Sequence, residues 1–261
     1  MFSVVFSRKT IKLIILFILL GGTFLMGETP DENKNTSCDI DFSGRRVISL
    51  NQRFIISENE LPQVILDALK GDTNAAFKVM LHFNAGMSDS INGFKWRIIG
   101  AENGHHETQN SLVNVLLNFS DDDDSETRGI FWLYELAKIG YEGIEDDLQD
   151  YNYTPETVQP PDDSLFPDNY VLLSETELAE CKTGALRGNR KAAQLLGKYY
   201  SEIKVDDELS EYWYRIGAQN GSPECQYILG QIMIAREDEF DQIRGRFWLD
   251  RAIKNGNMIQ N

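Results

Sequence analysis

Three histidines, three cysteines and one unbroken run of aspartates are the residues whose types could do chemistry in this chain. His105-His106-Glu107 presents two imidazoles and a carboxylate, the donor types of a divalent-metal site. A zinc-binding helix, however, sets its histidines four residues apart on one face, whereas neighbours in sequence point in different directions. His82 stands apart from the pair. Cys38, Cys181 and Cys225 would act as thiolate nucleophiles only beside a basic partner, and no local pattern supports one. Asp121, Asp122, Asp123 and Asp124 lack the spaced carboxylates and fixed glycine of a calcium loop. The sequence contains no GxSxG, Ser-x-x-Lys, phosphate-binding loop or HExxH. These residues predict no catalytic centre, no metal and no cofactor.

The composition says what kind of body carries them. Hydrophobic residues make up 42% and charged residues 25%, the balance of a folded chain rather than a disordered one. Acids outnumber bases 41 to 25, for a net charge of −16, which argues against nucleic acid as a partner and for a protein with a basic surface. Arg8, Lys9 and Lys12 precede an apolar run from Leu13 to Met26. That run falls short of the ~20 residues of a spanning helix. It reads as a secretory signal, or as an uncleaved N-terminal anchor, over residues 1–27. The expected location is therefore outside the cytoplasm, in the periplasm, with membrane contact only through that segment.

Tryptophan supplies the period. Each of the four is followed eight residues later by glycine: Trp96 to Gly104, Trp132 to Gly140, Trp213 to Gly221 and Trp248 to Gly256. The tryptophans are spaced by 36, 81 and 35 residues, one repeat length on either side of a repeat plus an insertion. Residues 68–104 and 185–221 align without a gap at an offset of 117, sharing ALxG, Trp and IGAxNG. Small residues follow the glycines at Ala75, Thr108, Ala192 and Cys225. A period in the mid-thirties with two helical stretches predicts an all-α solenoid of antiparallel helix pairs. Glycine closes each second helix, and tryptophan fills the wedge between helices.

These motifs resemble the Sel-1-like repeat, a relative of the tetratricopeptide repeat. The resemblance is carried by Ala192 through Leu196-Gly197 with Trp213 through Gly217-Ala218 to Gly221, and by Cys225 through Leu229-Gly230 with Trp248 to Gly256. Met80 and Val113 replace the Leu-Gly glycine in the first half, where the larger side chains predict helices held further apart. In repeat register, His105-His106 overlies Ser222-Pro223 at a helix start, His82 overlies Tyr199, and Cys225 takes the small interhelical slot.

The resulting map has an irregular leader or short hairpin at 28–57, repeats one and two at 58–140, an insertion at 141–174, and repeats three and four at 175–261. Helices are expected at 58–70, 72–84, 92–103, 105–118, 126–139, 175–187, 189–200, 207–219, 222–235 and 240–255. Residues 141–184 hold twelve acids against one lysine, with four of the seven prolines, interleaved with Tyr141, Tyr151, Tyr153, Phe166 and Tyr170. Such a segment suits either packing on its own solenoid or docking to a basic surface. The candidate partner-binding residues are Asp121–Asp124, Asp146, Asp147, Tyr151, Tyr153, Asp162 and Asp163. The last repeat lacks a polar capping helix, so a partner, a second copy (a homodimer) or the N-terminal segment is expected to cover it.

The resemblance implies a protein-binding role. Exported Sel-1-like proteins of Gram-negative bacteria include immunity proteins against toxic effectors, among them type VI secretion phospholipases, and occlusion by the solenoid groove would be the mechanism. An adaptor of the cell envelope is the alternative. A penicillin-recognising hydrolase comes third, because relatives of that kind carry regularly spaced disulfide pairs and this chain does not.

Overall fold

The computed structural model describes residues 53–119, 122–168 and 173–256. Among these, eleven α-helices and no strand are present. In chain order α1 is Leu61–Leu69, α2 Thr73–Leu81, α3 Ser90–Asn103, α4 His106–Asn118, α5 Asp123–Lys138 and α6 Ile144–Asp150. They are followed by α7 Glu175–Leu186, α8 Arg190–Lys198, α9 Asp207–Gln219, α10 Pro223–Ile234 and α11 Glu239–Gly256. Repeats one to four are the antiparallel pairs α2/α3, α4/α5, α8/α9 and α10/α11, with α1 and α7 leading each half. The all-α solenoid is thus the fold.

Local sequence sets the helix ends. Asp72, Asp89, Asn189, Asp206 and Ser222 each accept the backbone N–H three residues on, the N-cap bond that satisfies an otherwise orphaned donor. Ser174 and Glu177 form a reciprocal capping box at α7. Their counterparts 117 residues earlier, Ser57 and Glu60, hydrogen-bond at 2.6 Å before α1. Pro62 sits in the first turn of α1, where its missing N–H costs nothing. Most of the leader lies outside the described residues; residues 53–54 form a 3-10 turn and 55–57 are irregular, not a strand.

The four tryptophans are buried, none more than 4% exposed. The indole N–H groups of Trp213 and Trp248 have no acceptor, so these rings serve as volume. Gly104, Gly140 and Gly221 close their helices at positive φ, whereas Gly256 is still helical. In the first two repeats the close approach falls at a glycine of the second helix. A Cβ at Gly93 would lie 1.9 Å from Asn84 Oδ1, and one at Gly129 would lie 2.5 Å from Leu117. Met80 and Val113 are simply buried.

Two short π-helical segments extend first helices at equivalent places, His82–Gly86 after α2 and Tyr199–Lys204 after α8. The insertion also has structure that its sequence did not suggest. It contains α6 and a 3-10 turn at Asp163–Leu165. Val158 is fully buried in the core of repeat two, and Phe166 is buried in that of repeat three.

The end of the solenoid corrects the expectation most. The last helix, α11, returns to the first repeat: Phe240 and Ile243 pack into the cluster of Ile65, Leu69, Val79 and Trp96. Phe247 lies against Gly71, where an added Cβ would be 2.7 Å from its ring. Repeat four is covered by repeat one, and the solenoid closes on itself. Replacing Trp213 by alanine should lower stability by ~3–5 kcal/mol, the cost of deleting a buried large aromatic. Urea denaturation followed by far-ultraviolet circular dichroism checks it, and an unchanged midpoint contradicts the wedge role.

Candidate functional site

Closure brings the second helices of all four repeats, α3, α5, α9 and α11, to a common interior. Its organising residues are two arginines in equivalent places, Arg128 and Arg244. Arg128 lies flat on Phe131, 3.8 Å from the ring centre, and Arg244 on Phe247 at 3.7 Å. Each then crosses to the other half of the chain. Arg128 Nη1 donates to Asn220 Oδ1 at 2.7 Å and to the Leu186 carbonyl at 3.2 Å, while Nη2 donates to Gln219 Oε1 at 2.7 Å. Arg244 Nη1 donates to Asn103 Oδ1 at 2.6 Å and to the Leu69 carbonyl at 3.4 Å, while Nη2 donates to Glu102 Oε2 at 2.8 Å.

The two asparagines act alike. Asn220 Nδ2 donates to the carbonyls of Ala185 and Asn189, and Asn103 Nδ2 to those of Ala68 and Asp72. Corresponding residues of the two halves are 117 positions apart, and the contacts run reciprocally from each half to the other, so the halves are related by an approximate two-fold. At its centre, Gln219 Nε2 donates to Glu102 Oε1 at 2.8 Å. Arg251 Nη1 also donates to the Glu102 carbonyl.

Glu102 and Arg244 are each 3% exposed. Burial alone would raise the Glu102 carboxyl, but the charges of Arg244 and Arg215, with hydrogen bonds from Gln219 and Arg244, outweigh it and hold the carboxyl below its ordinary value of 4.5. Desolvation pushes Arg244 down to about 10 and Arg128 down to about 9, so both remain cationic at neutral pH. The chain's own side chains therefore occupy the inside of the solenoid where the two halves meet.

Of the residues singled out for chemistry, Cys38 lies outside the described residues, and His82, His105, Cys181 and Cys225 are spent on the fold. His105 caps α4, its Nδ1 accepting the Thr108 N–H at 3.4 Å, and stacks on Phe77. His82 Nδ1 accepts the Ile56 N–H at 3.1 Å. Cys181 and Cys225 are buried free thiols, pushed up by burial to about 11 and about 12, which suppresses the thiolate at neutral pH. No group of three or more His, Cys, Asp or Glu among the described residues could hold a metal. No helix among them is long and apolar enough to cross a membrane.

The acidic candidates divide the same way. Asp121 lies outside the described residues. Asp122 caps α5, with Asp123 and Asp124 in its first turn, where carboxylates favour the helix dipole. Asp146 and Asp147 hold that place in α6. Tyr151 OH donates to Asn114 Oδ1, and Tyr153 OH to Glu126, so both rings pack on repeat two. Asp162 Oδ1 accepts the Ser164 N–H, and Asp163 Oδ1 accepts Asn189 Nδ2. The insertion is a strap across the joint between repeats two and three. Arg187 holds its Thr157 and Gln159 carbonyls, and Lys191 holds the Phe166 carbonyl and Asp168.

Set against models of protein families, curated proteins and solved structures, the chain finds no match. The interior network was readable only as a recurring RGxFWL, at Arg128–Leu133 and Arg244–Leu249.

Glu102→Ala should lower stability by ~3–5 kcal/mol, because it leaves Arg244 buried without its counter-charge. Glu102→Gln should cost less, since Gln219 already serves Arg128 in that manner. A carboxyl held low in the folded state stabilises above 4.5 and loses that contribution as pH falls through its folded value. Urea midpoints taken from neutral to acid pH should therefore fall less steeply for Glu102→Gln than for the parent chain.

Proposed function

We propose that this chain is an exported protein-binding module of the Sel-1-like kind, serving as a periplasmic immunity protein that neutralises a toxic effector with a basic surface. The Sel-1-like motifs, the basic-then-apolar leader and the net charge of −16 support the reading. With the inner faces spent on closure, docking falls to the outer surface and the hairpin tips.

One observation carries that choice. Val205, at the tip between α8 and α9, is 77% exposed and held at φ 53, a conformation costing a β-branched residue about 1–2 kcal/mol. Strain kept on an exposed apolar side chain points to a contact site rather than to packing. Ile203 is exposed beside it, and Glu202, Asp207 and Glu208 stand exposed around the pair. The two-fold-related tip repeats the pattern, with Ser88 at φ 56 and exposed Phe54, Ile55, Met87 and Ile91. Lys204 lies between Ile203 and Val205, and with Glu202, Asp207 and Glu208 this tip keeps a net negative charge. Apolar anchors in such surroundings suit a basic protein: the charges steer the encounter and the anchors hold it.

Val205→Gly should raise stability by about 1 kcal/mol by relieving the strain, read as a higher urea midpoint. A lower midpoint rejects strain at this tip. Co-expression with the effector encoded by the adjacent reading frame should protect the host when the leader is intact. Ile203→Asp with Val205→Asp should weaken protection while leaving the circular dichroism spectrum unchanged. Absence of protection by the parent chain rejects the immunity reading, and undiminished protection by the double variant rejects the tip.

A further inference from the structure

The joint between repeats two and three and the joint between repeats four and one are built from one contact set. Phe131 covers Gly188 as Phe247 covers Gly71, in each case within 2.7 Å of where a Cβ would stand. Arg128 and Arg244 reach the same helix-end carbonyl and the same asparagine of the opposite half. Both joints therefore lie between the halves, not within them. Much of what crosses is polar: Arg128, Arg244, Glu102, Gln219, Asn103 and Asn220. Three of the four apolar clusters lie wholly within one half or the other, while Phe240 and Ile243 add an apolar contact across to the cluster of repeat one. Parting the halves leaves those three clusters intact.

The chain passes from one half to the other over a short stretch. Val158 belongs to the core of repeat two and Phe166 to that of repeat three. Gln159–Leu165 cross between them and include Pro160-Pro161, a stiff pair that favours an extended path. Seven residues span at most about 25 Å when extended, enough to carry the following half onto a neighbouring molecule.

We propose that the halves are exchangeable and that the alternative occupant of each is a second copy of this chain. In the resulting two-fold dimer, α1–α6 of one molecule pair with α7–α11 of the other, and the arginine and phenylalanine contacts of both joints re-form at both rings, while the Asn189 bonds to Pro161 and Asp163 in the crossing stretch are released. The surfaces are complementary by construction, because the second copy offers the same Glu102, Asn103 and Gly71 to Arg244 and Phe247. Exchange of identical elements is a low-cost route to a dimer. The closed monomer wins at low concentration, where the tethered half has the higher effective concentration, and the dimer gains as concentration rises. The inference is independent of any partner at the tips.

Complementation by charge reversal tests it on the full chain. Glu102→Arg and Arg244→Glu each break their own closure. In a half-exchanged heterodimer one ring regains Glu102 with Arg244, and the other pairs the two reversed residues. Native mass spectrometry of a 1:1 mixture refolded together should show a heterodimer that neither variant forms alone. If the variants fail to refold, isotopically heavy and light parent chains, unfolded, mixed and refolded, give the same reading. Their heavy–light dimer fraction should rise at least ~10-fold between micromolar and hundreds-of-micromolar refolding. A mixture that stays as separate species, or parent chains monomeric at every concentration, overturns the proposal.

Discussion

The architecture depends on a planar guanidinium reaching a helix end. Every helix leaves carbonyls without intrahelical partners, and those of Leu69 and Leu186 face the opposite half of the chain. Arginine can lie flat on an aromatic ring and still direct donors at a carbonyl, an asparagine and a carboxylate or amide together. Lysine, with a single ammonium, could not. Phe131 and Phe247 hold the guanidinium planes, and Gly71 and Gly188 leave room for those rings. Two such clamps turn a row of four helix pairs into a closed body.

The clamps differ in charge, and the difference has structural consequences. Arg128 meets neutral Gln219, whereas Arg244 meets Glu102. The joint with the neutral partner is the one the insertion straps, through Arg187, Asn189 and Lys191. The joint without a strap carries the ion pair and the second arginine, Arg251. A buried ion pair contributes little net stability but penalises any arrangement that separates it. Here it fixes which surfaces meet at the unstrapped joint.

What the sequence made legible was local. Tryptophan–glycine spacing and the capping residues placed the ten expected helices close to where they lie, because caps and small interhelical residues act within one or two turns. His105 and Cys225 were readable for the same reason, as a helix start and an interhelical slot. Closure was not legible, because it depends on curvature accumulated over four repeats. Its trace is the recurrence of RGxFWL, which by itself does not tell a closing clamp from core periodicity. The local roles of the acids were hidden for a related reason. Composition shows that a segment is acidic, not that Asp122 caps a helix or that Asp163 ties a strap to Asn189. The strained Val205 left no mark at all, since an exposed valine is unremarkable until its backbone is seen.

The proposed function rests on what closure leaves outside. With side chains of the two halves occupying the inside where they meet, the acidic exterior and apolar tips are where the proposed partner would dock. A double-mutant cycle between Asn103 and Arg244, 141 residues apart in sequence, tests closure most directly. Closure predicts a coupling of ~1–3 kcal/mol in the urea stabilities of Asn103→Ala, Arg244→Ala and the double variant. Strictly additive effects would mean that the first and last repeats do not meet.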